Sequence, residues 1–177
     1  MLNDKLTRHN RKDWDRAVEL LERFFRERVC DLVPVMEGAQ AVREKIGEMD
    51  AFIQTNTAEI CPQCLNICCI NTHGYYDYQD LIYIYALGLR GPVYREGIKD
   101  TDPCQFIAGT GCTIARPLRP FRCNWYFCNP LLAHIENGPA RPYREFIALF
   151  HDVIALRKEM LDEFFRVLSQ LVGQSQD

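Results

Sequence analysis

The chain has 177 residues, 47% of them hydrophobic and 25% charged, an ordinary globular composition that argues against a disordered chain. Its formal charge is −3, and thiolates bound to metal would make it more negative, which argues against a general nucleic-acid binder needing an excess of Lys and Arg. The opening residues have no apolar core of the kind a secretory signal needs, and the longest apolar run, Leu81 to Leu89, is about half the ~20 residues that span a bilayer. The expectation is therefore a soluble, cytoplasmic protein with no membrane partner.

Taken in order, the sequence predicts a helix over residues 12 to 30, with Asp13 as N-cap and Trp14, Val18, Leu21, Phe25 and Val29 on one face. Pro34 interrupts it, and a second helix is expected from Val35 to Thr55, with Val42, Ile46, Met49 and Ile53 inward. Together these make residues 1–57 a helical hairpin. Cys30, at the end of the first helix, is read as a small buried thiol rather than a ligand. Asp77 or Asp80 opens a further helix that stops at Gly88, and its nearly all-apolar circumference places it centrally. From Gly91 to Phe121 the density of Gly, Pro and charged residues predicts irregular structure. Asn137-Gly138-Pro139 is a break, and residues 142–171 read as one long helix with a stripe of Tyr143, Phe146, Ile147, Phe150, Ile154, Leu161, Phe164, Leu168 and Leu171. The fold class is mainly α, a single helical domain over residues 1–177 with an irregular, cysteine-rich, metal-binding segment at 58–130.

That segment carries the chemistry. Cys61-Pro-Gln-Cys64-Leu-Asn-Ile-Cys68-Cys69 packs four thiols into nine residues, and Cys104, Cys112, Cys123 and Cys128 form a second set. Nine cysteines in a reducing compartment make a disulfide framework chemically and numerically awkward, so metal ligation is the better use of these thiols. A Cys-x2-Cys pair lets two thiolates grip one metal, and neighbouring thiols such as Cys68 and Cys69 point in different directions and seldom complete one tetrahedron. Two four-cysteine centres, one multinuclear cluster, or one centre with spare thiols all fit the count. Arg116, Arg119 and Arg122 lie in a stretch from Cys104 to Cys128 that has no acidic residue, and a guanidinium near a thiolate-rich centre is stabilising. Thiolate ligation suits zinc and iron-sulfur alike. Nearby aromatics, Tyr75, Tyr76, Tyr78, Phe106, Phe121, Trp125, Tyr126 and Phe127, would exclude water from a cluster. His73 is expected in a loop or hydrogen-bonding role, and His134 and His151 as ordinary helical residues.

The order Cys61-x2-Cys64-x3-Cys68-Cys69, Asp80, Cys104-x-Phe106-Ile107, Cys112-x6-Arg119-Pro120-x2-Cys123-x4-Cys128 resembles the zinc- or iron-chelating domain family of small bacterial and archaeal proteins known for a CxxCxxCC-type signature. It is also related in motif to flagellin lysine N-methylase, for which the resemblance implies an iron-sulfur centre. The likeness covers roughly residues 61 to 128 and departs from the family at Ala115, Asn124 and Phe127, where the family often has Tyr, Arg and Pro. It implies a zinc or iron-sulfur cofactor on the eight cysteines, with Arg119 and Asp80 supporting them. Whether the centre is structural, redox-active or part of a group-transferring enzyme stays open at this level, as do any protein partner and the oligomeric state.

Overall fold

The computed structural model describes residues 10–63, 74–93, 95–98, 102–108 and 111–174. Among them are five α-helices, one two-stranded antiparallel ladder and short 3-10 turns, so the fold is mainly α. Helix α1, Arg11–Glu27, is capped by Asn10, whose side chain accepts from the amides of Lys12 at 3.1 Å and Asp13 at 3.4 Å. Asp13, the expected cap, lies in the first turn instead, where its charge suits the helix N-terminus. Trp14, Ala17, Leu21 and Phe25 recur at three- and four-residue spacing and are buried. The helix ends before Val29, which is exposed, and Cys30 is exposed rather than the buried thiol expected.

Helix α2, Val33–Ile60, starts earlier and runs further than the sequence suggested. Pro34 is its second residue, where the missing N–H would have had no helical partner, so proline opens the helix instead of interrupting it. Val35, Ala39, Val42, Ile46, Met49 and Ile53 form its buried line. Helix α3 is Tyr78–Ala86, α4 is Asn129–Asn137 and α5 is Ala140–Gln174.

The chain forms two compact units, one of Met1–Val42, Tyr76–Glu96 and Ile154–Asp177, the other of Arg43–Tyr75 and Gly97–Val153. In the first, α1 packs against α3. Helix α3 is closed at its start by a reciprocal capping box: Asp80 N donates to Asp77 Oδ1 at 2.7 Å and Asp77 N donates to Asp80 Oδ2 at 3.3 Å. It ends at Gly88, whose φ of +71° favours a residue without a Cβ. Its residues Leu81 to Ala86 are all buried, as an apolar circumference requires. Arg157 of α5 donates to Gln79 Oε1 at 2.8 Å and Asp80 Oδ1 at 3.1 Å, giving the buried Asp80 carboxylate a cation. The aromatic centre of this unit is Phe164, with Phe24 edge-on at 5.5 Å and Phe25 stacked at 5.8 Å.

Among the described side chains of α5 the buried ones are Phe146, Val153, Met160, Leu161, Phe164 and Val167. Phe146, Val153, Met160 and Val167 fall at seven-residue spacing, and the expected stripe is met at Phe146, Leu161 and Phe164 but included Ile154, which is 43% exposed. Val153, Met160 and Val167 were the positions that stripe missed. In the second unit Phe146 stacks on Phe52 at 4.6 Å and lies 5.5 Å from Phe127, while Phe150 stacks on Phe121 at 6.4 Å. Two loop aromatics are thereby held on helical rings, one on each side of Cys123.

Phe164→Ala is expected to cost about 3–5 kcal/mol, the loss for truncating a packed aromatic, while Phe165→Ala at a partly exposed position costs about 1 kcal/mol or less; urea midpoints of the two variants check this. Burial pushes the Tyr78 phenol up to about 12 from 10.0. Its folded value lies above its unfolded one, so its contribution is intact below pH 10 and is lost as pH rises through 12. Tyr78→Phe should therefore flatten the alkaline loss of stability in that window relative to wild type, measured by denaturant titration at successive pH values.

Candidate metal centre

The second unit holds the candidate ligand cysteines that the structure describes. Cys61 opens a 3-10 turn, Cys61–Gln63, directly after α2 and is half-buried. Cys64, Cys68, Cys69 and His73 lie outside the described residues. Gly74 is the first described residue after them, and it is where the later cysteines arrive. Its amide donates to Cys104 Sγ at 3.4 Å. A Cβ on Gly74 would stand 3.3 Å from Cys123 Sγ, 3.6 Å from Cys104 Sγ and 3.6 Å from Pro120 Cγ. Two thiols from different turns of the loop therefore converge on one glycine, which has room for them because it carries no side chain.

Local structure explains how each sulfur is placed. Cys104 sits in a turn closed by Ile107 N donating to Cys104 O at 3.0 Å, and Gln105 Nε2 ties that turn to Gly74 O at 3.3 Å. Cys123 lies in the 3-10 turn Phe121–Asn124, which follows the buried Pro120 and is closed by Cys123 N donating to Pro120 O at 2.8 Å. Phe121 and Phe127 anchor that turn on either side through their contacts with Phe150 and Phe146.

The remaining cysteines are placed differently. Cys112 is exposed, on a two-residue strand paired with Ile107, and Cys128 is half-buried at the start of α4. Among the described residues no group of three or more His, Cys, Asp or Glu is arranged to hold a metal ion. The structure thus brings Cys104 and Cys123 to the same glycine, while three of the four cysteines in the first set fall outside what it describes.

The arginines separate into three roles. Arg116 is buried, with its side chain 3% exposed, and its Nε donates to Asp50 Oδ1. Burial pulls its guanidinium below the ordinary value; the Asp50 hydrogen bond opposes this, Arg119 adds to it, and the negative charges of Asp50 and Cys123 also oppose it. Arg119 donates from Nε to Ile114 O at 2.8 Å and so braces the loop backbone. Arg122 lies over the Tyr75 ring at 5.8 Å from its centre. Asp80, expected to support the ligands, lies in the other unit, where it caps α3 and pairs with Arg157. Trp125 and Tyr126, expected to exclude water, are 46% and 41% exposed. His134 Nε2 lies 3.6 Å from Glu59, and His151 is exposed on α5.

Sequence reasoning missed Asp50, Gly74 and Gln105. Asp50 lies within a regular helical pattern far from the cysteines in the chain, so nothing local marks it. Gly74 was visible only as part of a loop. No family model matches the chain, and searches of curated proteins and of solved structures likewise return no match.

Two sulfurs lie near one glycine and one of them accepts its backbone N–H, a soft donor chemistry that would suit a thiophilic metal. Asp50→Ala is expected to cost about 1.5–3 kcal/mol by leaving the Arg116 guanidinium buried without its acceptor, and Asp50→Ala combined with Arg116→Met to recover much of that loss, read from denaturation midpoints of the single and double variants.

Proposed function

We propose that the protein is a cysteine-ligated metal protein whose zinc or iron-sulfur centre is held by thiols of the two sets, Cys61, Cys64, Cys68 and Cys69 with Cys104, Cys112, Cys123 and Cys128. The observation that carries this reading is the convergence of Cys104 Sγ and Cys123 Sγ on Gly74, the residue at which the chain emerges from its first cysteine set. Four thiolates on one zinc at ~2.3 Å lie ~3.8 Å from each other, a separation compatible with two sulfurs that both lie close to the same glycine. Cys104, Cys112 and Cys128 are free thiols, as ligation in a reducing, cytoplasmic setting requires. The motif likeness to the zinc- or iron-chelating domain family supports the same reading from the sequence side.

In this reading Gly74 provides an N–H to one ligand sulfur, and Arg116 offsets thiolate charge from inside the fold while Asp50 holds it there. When bound, zinc would cross-link the loop, whereas an iron-sulfur cluster would also pass electrons. A group-transfer activity of the lysine N-methylase kind rests on motif likeness alone and stays second.

Anaerobic purification followed by metal and sulfide analysis tests the proposal. Stoichiometric zinc without colour selects the zinc form; brown protein with matched iron and sulfide selects the cluster; neither metal bound to folded protein overturns the assignment. Cys64→Ala and Cys123→Ala should each lower metal content severalfold, whereas Cys30→Ala should leave it unchanged.

A further inference from the structure

Cys104 and Cys123 come from different turns, yet their sulfurs are two of the three heavy atoms nearest to where a Cβ on Gly74 would stand, at 3.6 Å and 3.3 Å. The two sulfurs are therefore no more than about 7 Å apart, and a change of cysteine rotamer carries a sulfur about 3 Å, so the gap is of the size that side-chain rotation covers. The turns that carry them are tied to the backbone around the same point. Gly74 N donates to Cys104 Sγ at 3.4 Å, Gly74 O accepts from Gln105 Nε2 at 3.3 Å, and Cys123 N donates to Pro120 O at 2.8 Å. Neither sulfur has to be brought from a distance, so little chain entropy opposes joining them. Both residues are half-buried, which leaves them within reach of a small oxidant. Disulfides that form in a reducing compartment are transient ones with redox roles, and two thiols already held side by side suit such a bond.

We propose that Cys104 and Cys123 are a redox pair that a hydroperoxide joins into a reversible disulfide beside Gly74. In the first step one cysteine sulfur takes an oxygen from the hydroperoxide: the O–O bond breaks, a sulfenic acid forms, and an alcohol leaves, or water where the oxidant is hydrogen peroxide. In the second the other sulfur attacks the sulfenic sulfur, the S–S bond forms, and the oxygen departs as water. The two thiols together lose two electrons and two protons, the hydroperoxide gains both, and a dithiol reverses the change by exchange. A sulfur in a disulfide no longer binds metal as a thiolate. Resting on the metal reading above, the same bond therefore releases the centre.

The test treats full-length protein, purified anaerobically, with a few equivalents of hydrogen peroxide, before and after removal of metal by a chelator, and maps the non-reduced peptides by fragmentation mass spectrometry. A Cys104–Cys123 cross-link should appear in most chains, the thiol count should fall by two per chain, and dithiothreitol should restore both thiols. Cys104→Ser and Cys123→Ser should each lower cross-linking in this segment at least tenfold. Cys30→Ser, which removes an exposed thiol outside both sets, should leave it unchanged. Gly74→Ala sets a Cβ against both sulfurs and should slow the bond severalfold. Wild-type protein that gives no Cys104–Cys123 cross-link, or only cross-links to other cysteines, overturns the pair whether or not the variants fold. Metal released in step with the cross-link supports the coupling, and a cross-link that forms while all metal stays bound overturns it. Metal bound with no cross-link before or after chelation sinks this inference alone; a cross-link in protein that binds neither zinc nor iron leaves the pair standing and sinks the metal reading.

Discussion

Cys104 and Cys123 both reach Gly74, where the missing side chain leaves room for the two sulfurs. Any side chain at Gly74 would begin 3.3 Å from one sulfur and 3.6 Å from the other, tighter than most packed atoms tolerate on the Cys123 side. With no Cβ there, the backbone serves both turns: its N–H goes to Cys104 Sγ and its C=O accepts from Gln105. A stretch with one two-residue ladder and a few 3-10 turns has little backbone hydrogen bonding of its own. It is held by this junction, by aromatic rings that seat Phe121 and Phe127 on Phe150 and Phe146, and by Arg119 bonded to the carbonyl of Ile114.

Buried charge in this unit centres on Arg116. A buried guanidinium is costly unless it is paired, and Arg116 is paired with Asp50, whose side chain is 42% exposed. An acceptor that remains partly in water cannot neutralise the buried cation as fully as an enclosed one. The negative charge of Cys123 acts on Arg116 in the same sense as Asp50 does.

Much of the helical frame was legible in the sequence, because apolar periodicity is a local signal. Val42, Ile46, Met49 and Ile53 are buried on α2 as their spacing required, and Gly88 ends α3 as its freedom at positive φ allows. The misses have physical causes. Asn10 outcompeted Asp13 as a cap because a side chain one residue before the helix reaches two free amides. Pro34 reads as a break because proline stops a helix in its interior, yet it suits a first turn, which is where it stands. On α5 the buried seam follows a seven-residue rhythm through Val153 and Met160, and a choice weighted towards bulky residues picks Ile154 instead. At the site, Cys104 and Cys123 were identifiable by residue type, but their meeting at Gly74 joins positions about thirty residues and more apart, and no local pattern encodes it. Asp50 was invisible for the same reason.

Buried polar groups are satisfied to different degrees in the two units. Asp80 is buried and satisfied: it accepts from the Asp77 amide and from Arg157, whose second nitrogen reaches Gln79. Each of those atoms finds its partner within the fold, as in a network that serves stability. Asn124 is buried more deeply, yet both of its polar atoms lack partners, and Gln105 leaves one of its own unpaired. An apolar residue at position 124 would fill the space without that cost, and much of the rest of the unit's interior is built from such residues. The second unit thus holds two kinds of buried polar group, a guanidinium that the fold pairs with Asp50 and a carboxamide for which the chain itself supplies no partner.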